Sequence, residues 1–221
     1  MSEAALWLNS TFEGFDHAIF AFFHSLQAGA LGGFFSVFFK GITFLGEDGI
    51  FLIVLSLILM LFKKTRKAGA VMLFAVAIGA IFTNVTIKPT IARFRPYKYF
   101  AGEDVWEWWK ATGSTLESEF SFPSGHTTAA MSAMTGLFFI GNKKYSWTAF
   151  IFAVLMGMSR VFLCVHFPSD ILGGFVIGFI AGLLSSILIK KFYENYKKPL
   201  NKKIIDFDII NIFKGKKKLR G

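Results

Sequence analysis

The stretch Ser159-Arg160-Val-Phe-Leu-Cys-Val-His166-Phe-Pro-Ser-Asp170 places an arginine, a histidine and an aspartate at the end of a long apolar run. Charge is costly there, and an ionisable residue at membrane depth or at its edge is a functional candidate by default. Arg160 offers a planar fork of donors that can hold an anion. His166 titrates near neutral pH and can act as nucleophile or base. Asp170, four residues on, can fix the imidazole tautomer and stabilise its cationic form, as the acid of a catalytic triad does. A charged helix end snorkelling to the interface would look much the same if it stood alone. Two upstream stretches show that it does not.

The first is Lys88-Pro-Thr-Ile-Ala-Arg93-Phe-Arg95-Pro96, directly after an apolar run. On a continuous helix Lys88 and Arg95 lie nearly two turns apart and share a face, although Pro89 and Pro96 interrupt such a helix. The second is Phe122-Pro-Ser-Gly-His126, which opens another apolar run. Proline suits the first turn of a helix. Ser124 offers a hydroxyl, Gly125 allows close approach to the backbone, and a helix N-terminus with free N–H groups is an anion site. Lys88, Arg95 and Arg160 offer three cations, beside an N–H nest, the Ser124 hydroxyl, two histidines and one carboxylate. That inventory suits phosphoryl transfer, where catalysis is mostly positioning and charge stabilisation. No cluster of acids or histidines has metal-ligand spacing, so no required metal or cofactor is expected.

These residues need elements to hold them, and the composition says which. The chain has 221 residues, 54% hydrophobic with 29 phenylalanines and only 17% charged. Residues 68–87 and 171–189 are apolar runs near membrane-spanning length. Residues 127–140 and 147–165 reach that length if a few polar residues face the bundle interior, and 49–62 does so if it starts near Phe44. The expected fold is an all-α, polytopic membrane helix bundle of about five or six transmembrane helices, with the motifs at helix ends. Residues 1–48 are expected to form interfacial or re-entrant helices, 49–190 the transmembrane core, and 191–221 a basic tail. Cys164 is the only cysteine, which excludes an internal disulfide, and is read as a small buried apolar residue.

The net charge of +10 is unevenly spread, with Lys63, Lys64, Arg66 and Lys67 in one loop, Lys143 and Lys144 in another, and more in the tail. The positive-inside rule places all three segments in the cytoplasm. The basic balance thus reflects topology and contact with anionic lipids at the tail, and no nucleic-acid partner is expected. An external N-terminus and a cytoplasmic tail require an odd number of spans, which five satisfies; a sixth crossing within residues 18–46 is the alternative. The same topology puts residues 88–122 and all three motifs on the outer side. Tyr97, Tyr99, Trp106, Trp108 and Trp109 in that segment are expected at headgroup level.

Lys88-x6-Arg95-Pro96, Pro123-Ser-Gly-His126 and Ser159-Arg160-x5-His166-x3-Asp170 match, in order and spacing, the three signature motifs of the type 2 phosphatidic acid phosphatase superfamily. The match spans residues 88–170, and the chain resembles that family at every motif position. The resemblance implies that His166 attacks phosphorus and becomes a phosphohistidine, that Asp170 orients it, and that His126 protonates the leaving oxygen. Lys88, Arg95, Ser124, Gly125 and Arg160 would hold the phosphoryl oxygens. The expected activity is that of a lipid phosphatase or diphosphatase at the outer membrane face. The short chain resembles bacterial members that recycle undecaprenyl diphosphate. Phosphatidylglycerol phosphate and phosphatidic acid are alternative substrates, because the motifs read the phosphate and not the lipid tail. A non-catalytic anion-binding transporter or scaffold is the competing reading from another class, although binding alone would need only the cations.

Overall fold

The computed structural model describes residues 1–195, and every regular element among them is a helix. The basic tail expected at 191–221, with its anionic-lipid contact, therefore falls almost wholly outside the described residues. The chain opens with α1 (Glu3–Ala28), capped by Ser2, whose hydroxyl accepts from the Ala5 N–H. After a short turn, α2 (Gly32–Phe44) leaves at 119° to α1. A 3₁₀ turn at Glu47–Gly49 leads into α3 (Ile50–Leu61). Next come α4 (Arg66–Ala80), a π-helical segment Ile81–Ile87, and the short α5 (Lys88–Ile91). The outer segment carries α6 (Pro96–Tyr99) and α7 (Asp104–Thr112). The remaining helices are α8 (Gly125–Ile140), the short α9 (Lys143–Ser146), α10 (Ala149–Phe162) and α11 (Pro168–Glu194).

Among the described residues three runs are long and apolar enough to cross a membrane, Arg66–Tyr99, Lys143–Phe162 and Pro168–Glu194, or four if the bent α1–α2 pair makes one span. The protein is a multi-pass membrane protein. Two of the five expected crossings are formed by helices shorter than a spanning run. α3 has 12 residues and α8 has 16, against about 20 for a hydrocarbon core. The cause is local: α3 gives way to a tight turn at 62–65, and α8 runs only from its Ser124 cap to Gly141.

α8 sits at the centre, against α4, α10 and α11. Small residues let these backbones approach, the usual solution where lipid offers no hydrophobic drive between helices. A Cβ on Gly178 would lie 2.6 Å from Met131 Cβ, and one on Gly182 would lie 2.5 Å from the Ser132 carbonyl oxygen. Across α4 and α11, Ser185 donates to the Val71 carbonyl at 2.8 Å. On the outer flank of α11, Val176, Ile180, Leu184, Ile187 and Leu188 are exposed, as a lipid-facing surface requires.

The ends of the bundle differ. Met60, Ile140, Ile189 and Tyr193 pack with Ala70 and Val71, and Lys67 Nζ lies 5.5 Å over the Tyr193 ring. The basic 62–67 turn, the 141–143 turn and the end of α11 thus gather at one end. At the other, an aromatic cluster of Phe20, Phe23, Phe39, Phe162 and Phe167 joins α1, α2 and α10 to the loop before α11. Tyr97 and Trp109 belong to this cluster, at 1% and 8% exposure. They are core residues and not the headgroup anchors expected, because α6 and α7 fold back onto the bundle.

Candidate functional site

The three motifs meet at that aromatic end. Lys88 enters from α5, which stops when Ala92 adopts a left-handed conformation at φ 51°. The chain then runs non-helically to Arg95, and Pro96 starts α6. Lys88 and Arg95 therefore do not share a helix face; the turn at Ala92 brings them together. Ser124 caps α8, its hydroxyl accepting from Thr127 N–H at 3.4 Å and Thr127 O–H at 3.0 Å. Arg160 lies in the last turn of α10, and His166 and Asp170 flank the start of α11. Cys164, between them, has φ 52°, and left-handed conformations of non-glycine residues cost about 1 kcal/mol. Two such turns at one site are paid for by the contacts around them.

Backbone bonds stitch the motifs together. The Ser121 N–H donates to the Arg93 carbonyl at 2.8 Å, and the Ser124 N–H to the Asp170 carbonyl at 3.2 Å. Arg95 Nη1 donates to the Val165 carbonyl at 2.9 Å, and Arg95 Nε to the Glu119 carbonyl at 3.0 Å. Each motif is thus anchored on another, and none is placed by its own helix alone.

Lys88, Arg95, Gly125, His126, Arg160 and His166 line one cavity of about 710 Å³. A Cβ on Gly125 would lie 3.8 Å from Lys88 Nζ, which puts the start of α8 beside the ammonium. The other two expected residues, Ser124 and Asp170, are buried behind the lining. Ser124 is engaged in capping, and Asp170 stands behind His166.

The geometry assigns the tautomer of His166. Arg95 Nη1 lies 2.9 Å from His166 Nε2, and a guanidinium can only donate, so Nε2 presents its lone pair. The proton then sits on Nδ1, which faces Asp170 Oδ2 at 3.4 Å. That oxygen is held by the Ser121 hydroxyl at 2.5 Å and by the Phe167 N–H at 2.9 Å. His166 is 1% exposed. Burial first, then the charges of Arg95, Arg160 and Lys88, push its pKa well below the ordinary imidazole range, which keeps the ring neutral at physiological pH. Burial also pushes the neighbouring Cys164 thiol up to about 12, in keeping with an inert packing residue.

The sequence reading missed the groups that answer the three cations. Glu117 pairs with Arg95, Oε2 to Nη2 at 2.5 Å, and with Arg160 Nη2. Glu119 pairs with Lys88, whose hydrogen bond holds the carboxyl below the usual glutamate range. Two acids in a polar loop carry no motif signal; their role follows only from where the loop folds. Lys40, from α2, and Glu47 also line the cavity, and a Cβ on Gly46 would lie 3.2 Å from His126 Cδ2.

A helical membrane bundle with a cation-lined cavity and a buried histidine–carboxylate pair defines a membrane-embedded enzyme of anionic substrates. Residues 68–194 match the PAP2 superfamily, and the chain belongs to it. It is a phosphoric ester hydrolase of the lipid phosphatase class. The chain is 34% identical over 171 residues to phosphatidylglycerophosphatase B of Bacillus subtilis, covering 72% of this chain and 75% of that one. It is 27% identical over 173 residues to an undecaprenyl-diphosphatase of Sulfolobus acidocaldarius, covering 78% and 77%. The crystal structure of a transmembrane PAP2 type phosphatidylglycerolphosphate phosphatase from Bacillus subtilis superposes with a TM-score of 0.62 at 30% identity, covering 89% of this chain and 93% of that one.

Proposed function

We propose that the protein hydrolyses a polyprenyl diphosphate through a phosphohistidine, at the extracytoplasmic face of the membrane. The observation that carries the chemistry is the arrangement of His166. Its Nε2 lone pair accepts from Arg95 Nη1 at the wall of a cavity lined by Lys88, Arg95 and Arg160, a bond it gives up as a phosphoryl group takes the guanidinium, and its Nδ1 is backed by Asp170. Nε2 attacks phosphorus in line, an N–P bond forms, and the bond from phosphorus to the leaving oxygen breaks. His126, at the α8 N-terminus, delivers a proton to that oxygen. In the second half, His126 takes a proton from water, whose oxygen attacks phosphorus, and the N–P bond breaks to release phosphate. The three cations and the α8 N-terminus stabilise the oxygens throughout. Arg160 Nε is buried without an acceptor among the described residues, which leaves one arm of its fork for a phosphoryl oxygen.

Lys40 supports a diphosphate in particular. It is a fourth cation in the cavity, outside the three motifs, and it has no ion-pair partner among the described residues. A monophosphate that displaces Glu117 meets Arg95 and Arg160 beside Lys88; a second phosphate adds charge that Lys40 answers. The sidedness rests on the ends of the bundle: the basic turns gather at the end opposite the motifs, and basic turns face the cytoplasm. A phosphatidylglycerol phosphate substrate is the second reading, favoured by the similarity to the Bacillus subtilis enzyme that carries that name.

Purified protein in vesicles, assayed for phosphate release from polyprenyl diphosphate, phosphatidylglycerol phosphate and phosphatidic acid, tests the proposal through kcat/KM. The diphosphate ranks first if the reading holds. A higher value for either monophosphate replaces it.

A further inference from the structure

Behind His166, away from the cavity, runs a chain of buried polar groups that the motifs do not explain. Arg93 is fully buried, and each of its nitrogens is engaged. Nε donates to Asn9 Oδ1 at 2.7 Å, and Nη2 to Asp16 Oδ2 at 3.0 Å. Nη1 donates to Ser169 Oγ at 2.7 Å and to Asp170 Oδ1 at 2.6 Å. Its Cζ lies 3.7 Å from the centre of the Phe167 ring. Asp16, 1% exposed, accepts from the Ser169 N–H at 2.7 Å and the Ser169 hydroxyl at 2.7 Å. Asn9 and Asp16 belong to α1, which lies outside the region matched by the superfamily, and Arg93 is one of the six residues between Lys88 and Arg95 to which the first motif assigns no role.

We propose that Asp16 is a positioning residue for the reaction, acting on His166 through Arg93 and Asp170. This rests on the reading of His166 as nucleophile and Asp170 as its partner. Two effects follow from the geometry. Arg93 pins Oδ1 of Asp170, which stops the carboxylate from rotating and leaves Oδ2 directed at His166 Nδ1. Arg93 would also cancel the charge that Asp170 must offer to a ring turning cationic as it gains the phosphoryl group. Asp16 restores the balance: two carboxylates share one guanidinium, and the trio keeps a net charge of −1 beside His166. A buried cation between two carboxylates with every nitrogen bonded is the geometry in which such an arrangement holds together. α1 thereby completes the site from behind, where no substrate reaches.

The test is steady-state and single-turnover kinetics of the full chain in detergent or vesicles. Asp16→Asn keeps the shape and removes the charge. It should lower kcat about thirtyfold with KM changed less than about twofold, because Asp16 acts on the chemical step and not on substrate. Asp16→Glu should recover part of the loss. The decisive comparison is in the Asp170→Asn background: if Asp16 works through Asp170, adding Asp16→Asn should cost less than about threefold more. Full kcat in Asp16→Asn, or losses that multiply in the double variant, overturns the proposal. Phe23→Ala removes an α1 packing residue outside the network and controls for stability; a kcat loss there as large as in Asp16→Asn also overturns it. Should Asp16→Asn fail to fold, Ser169→Ala, which removes the hydroxyl between Arg93 and Asp16, is read against Asp170→Asn by the same criteria. His166→Ala runs in parallel: turnover by that variant removes the nucleophile reading itself, whereas a dead His166→Ala beside a fully active Asp16→Asn removes only the role of Asp16.

Discussion

Glu117 lies across Arg95, carboxylate against guanidinium at 2.5 Å, on the side chain proposed to hold a substrate phosphate. It also binds Arg160, so on the proposed reading an anion held by both arginines displaces this one acid from the two of them. Glu117→Gln removes that competition. A charge-assisted bond contributes roughly 1.5 kcal/mol, which is about a tenfold change in affinity. The inhibition constant for vanadate or inorganic phosphate should fall by about that factor. An unchanged or raised constant would show that Glu117 does not compete with the anion.

On the diphosphate reading, Lys40 should distinguish diphosphate from monophosphate substrates. Lys40→Ala should raise KM for polyprenyl diphosphate about tenfold and leave the KM for phosphatidic acid within about twofold. Equal effects on both would mean that Lys40 does not meet the second phosphate.

His126 should matter in proportion to how badly the departing oxygen needs a proton. General acid catalysis contributes about 10² to 10⁴-fold. His126→Ala should therefore lose most activity on phosphatidic acid, less on a polyprenyl diphosphate, and least on p-nitrophenyl phosphate. Equal losses on all three, or a phosphoenzyme trapped on His126, would reassign the two histidines.

The Lys88–Glu119 pair predicts a pH dependence with a definite sign. Glu119 is held below its ordinary range by Lys88, so its contribution to stability is present above the unfolded pKa, about 4.3. It is lost as pH falls through the lower folded value. The Tm difference between the protein and Glu119→Gln should stay constant from neutral pH down to about 4.5 and vanish in more acid solution. A difference that grows on acidification would contradict the pairing.

Sidedness is open to cysteine labelling, because the native Cys164 is buried. A cysteine placed at exposed Leu116 should react with an impermeant maleimide on intact cells, whereas one at exposed Asn142 should react only after permeabilisation. The reverse pattern would put the cavity in the cytoplasm.

Much of this protein could be read without coordinates. Apolar runs alternating with lysine-rich turns determined a helical membrane bundle, since spanning length and charge asymmetry are local properties of the chain. The spacing of Lys88, Arg95, Pro123, Ser124, Gly125, His126, Arg160, His166 and Asp170 determined the family and the phosphate chemistry, because such motifs are short and ordered along the sequence. Six of the eight expected site residues line one cavity, and the other two stand directly behind them. What the chain could not disclose was which groups complete the charges. Glu117 and Glu119 answer the cations because a loop turns back over them. Asp16 reaches Arg93 across 77 residues and Ser169 across 153 because α1 packs beside the start of α11. The convergence of Lys88 and Arg95 comes from a turn at Ala92 and not from helical phase. Pairing of buried charges depends on distance in space, falls off steeply with it, and leaves no period in sequence. Only the tertiary structure decides those partners.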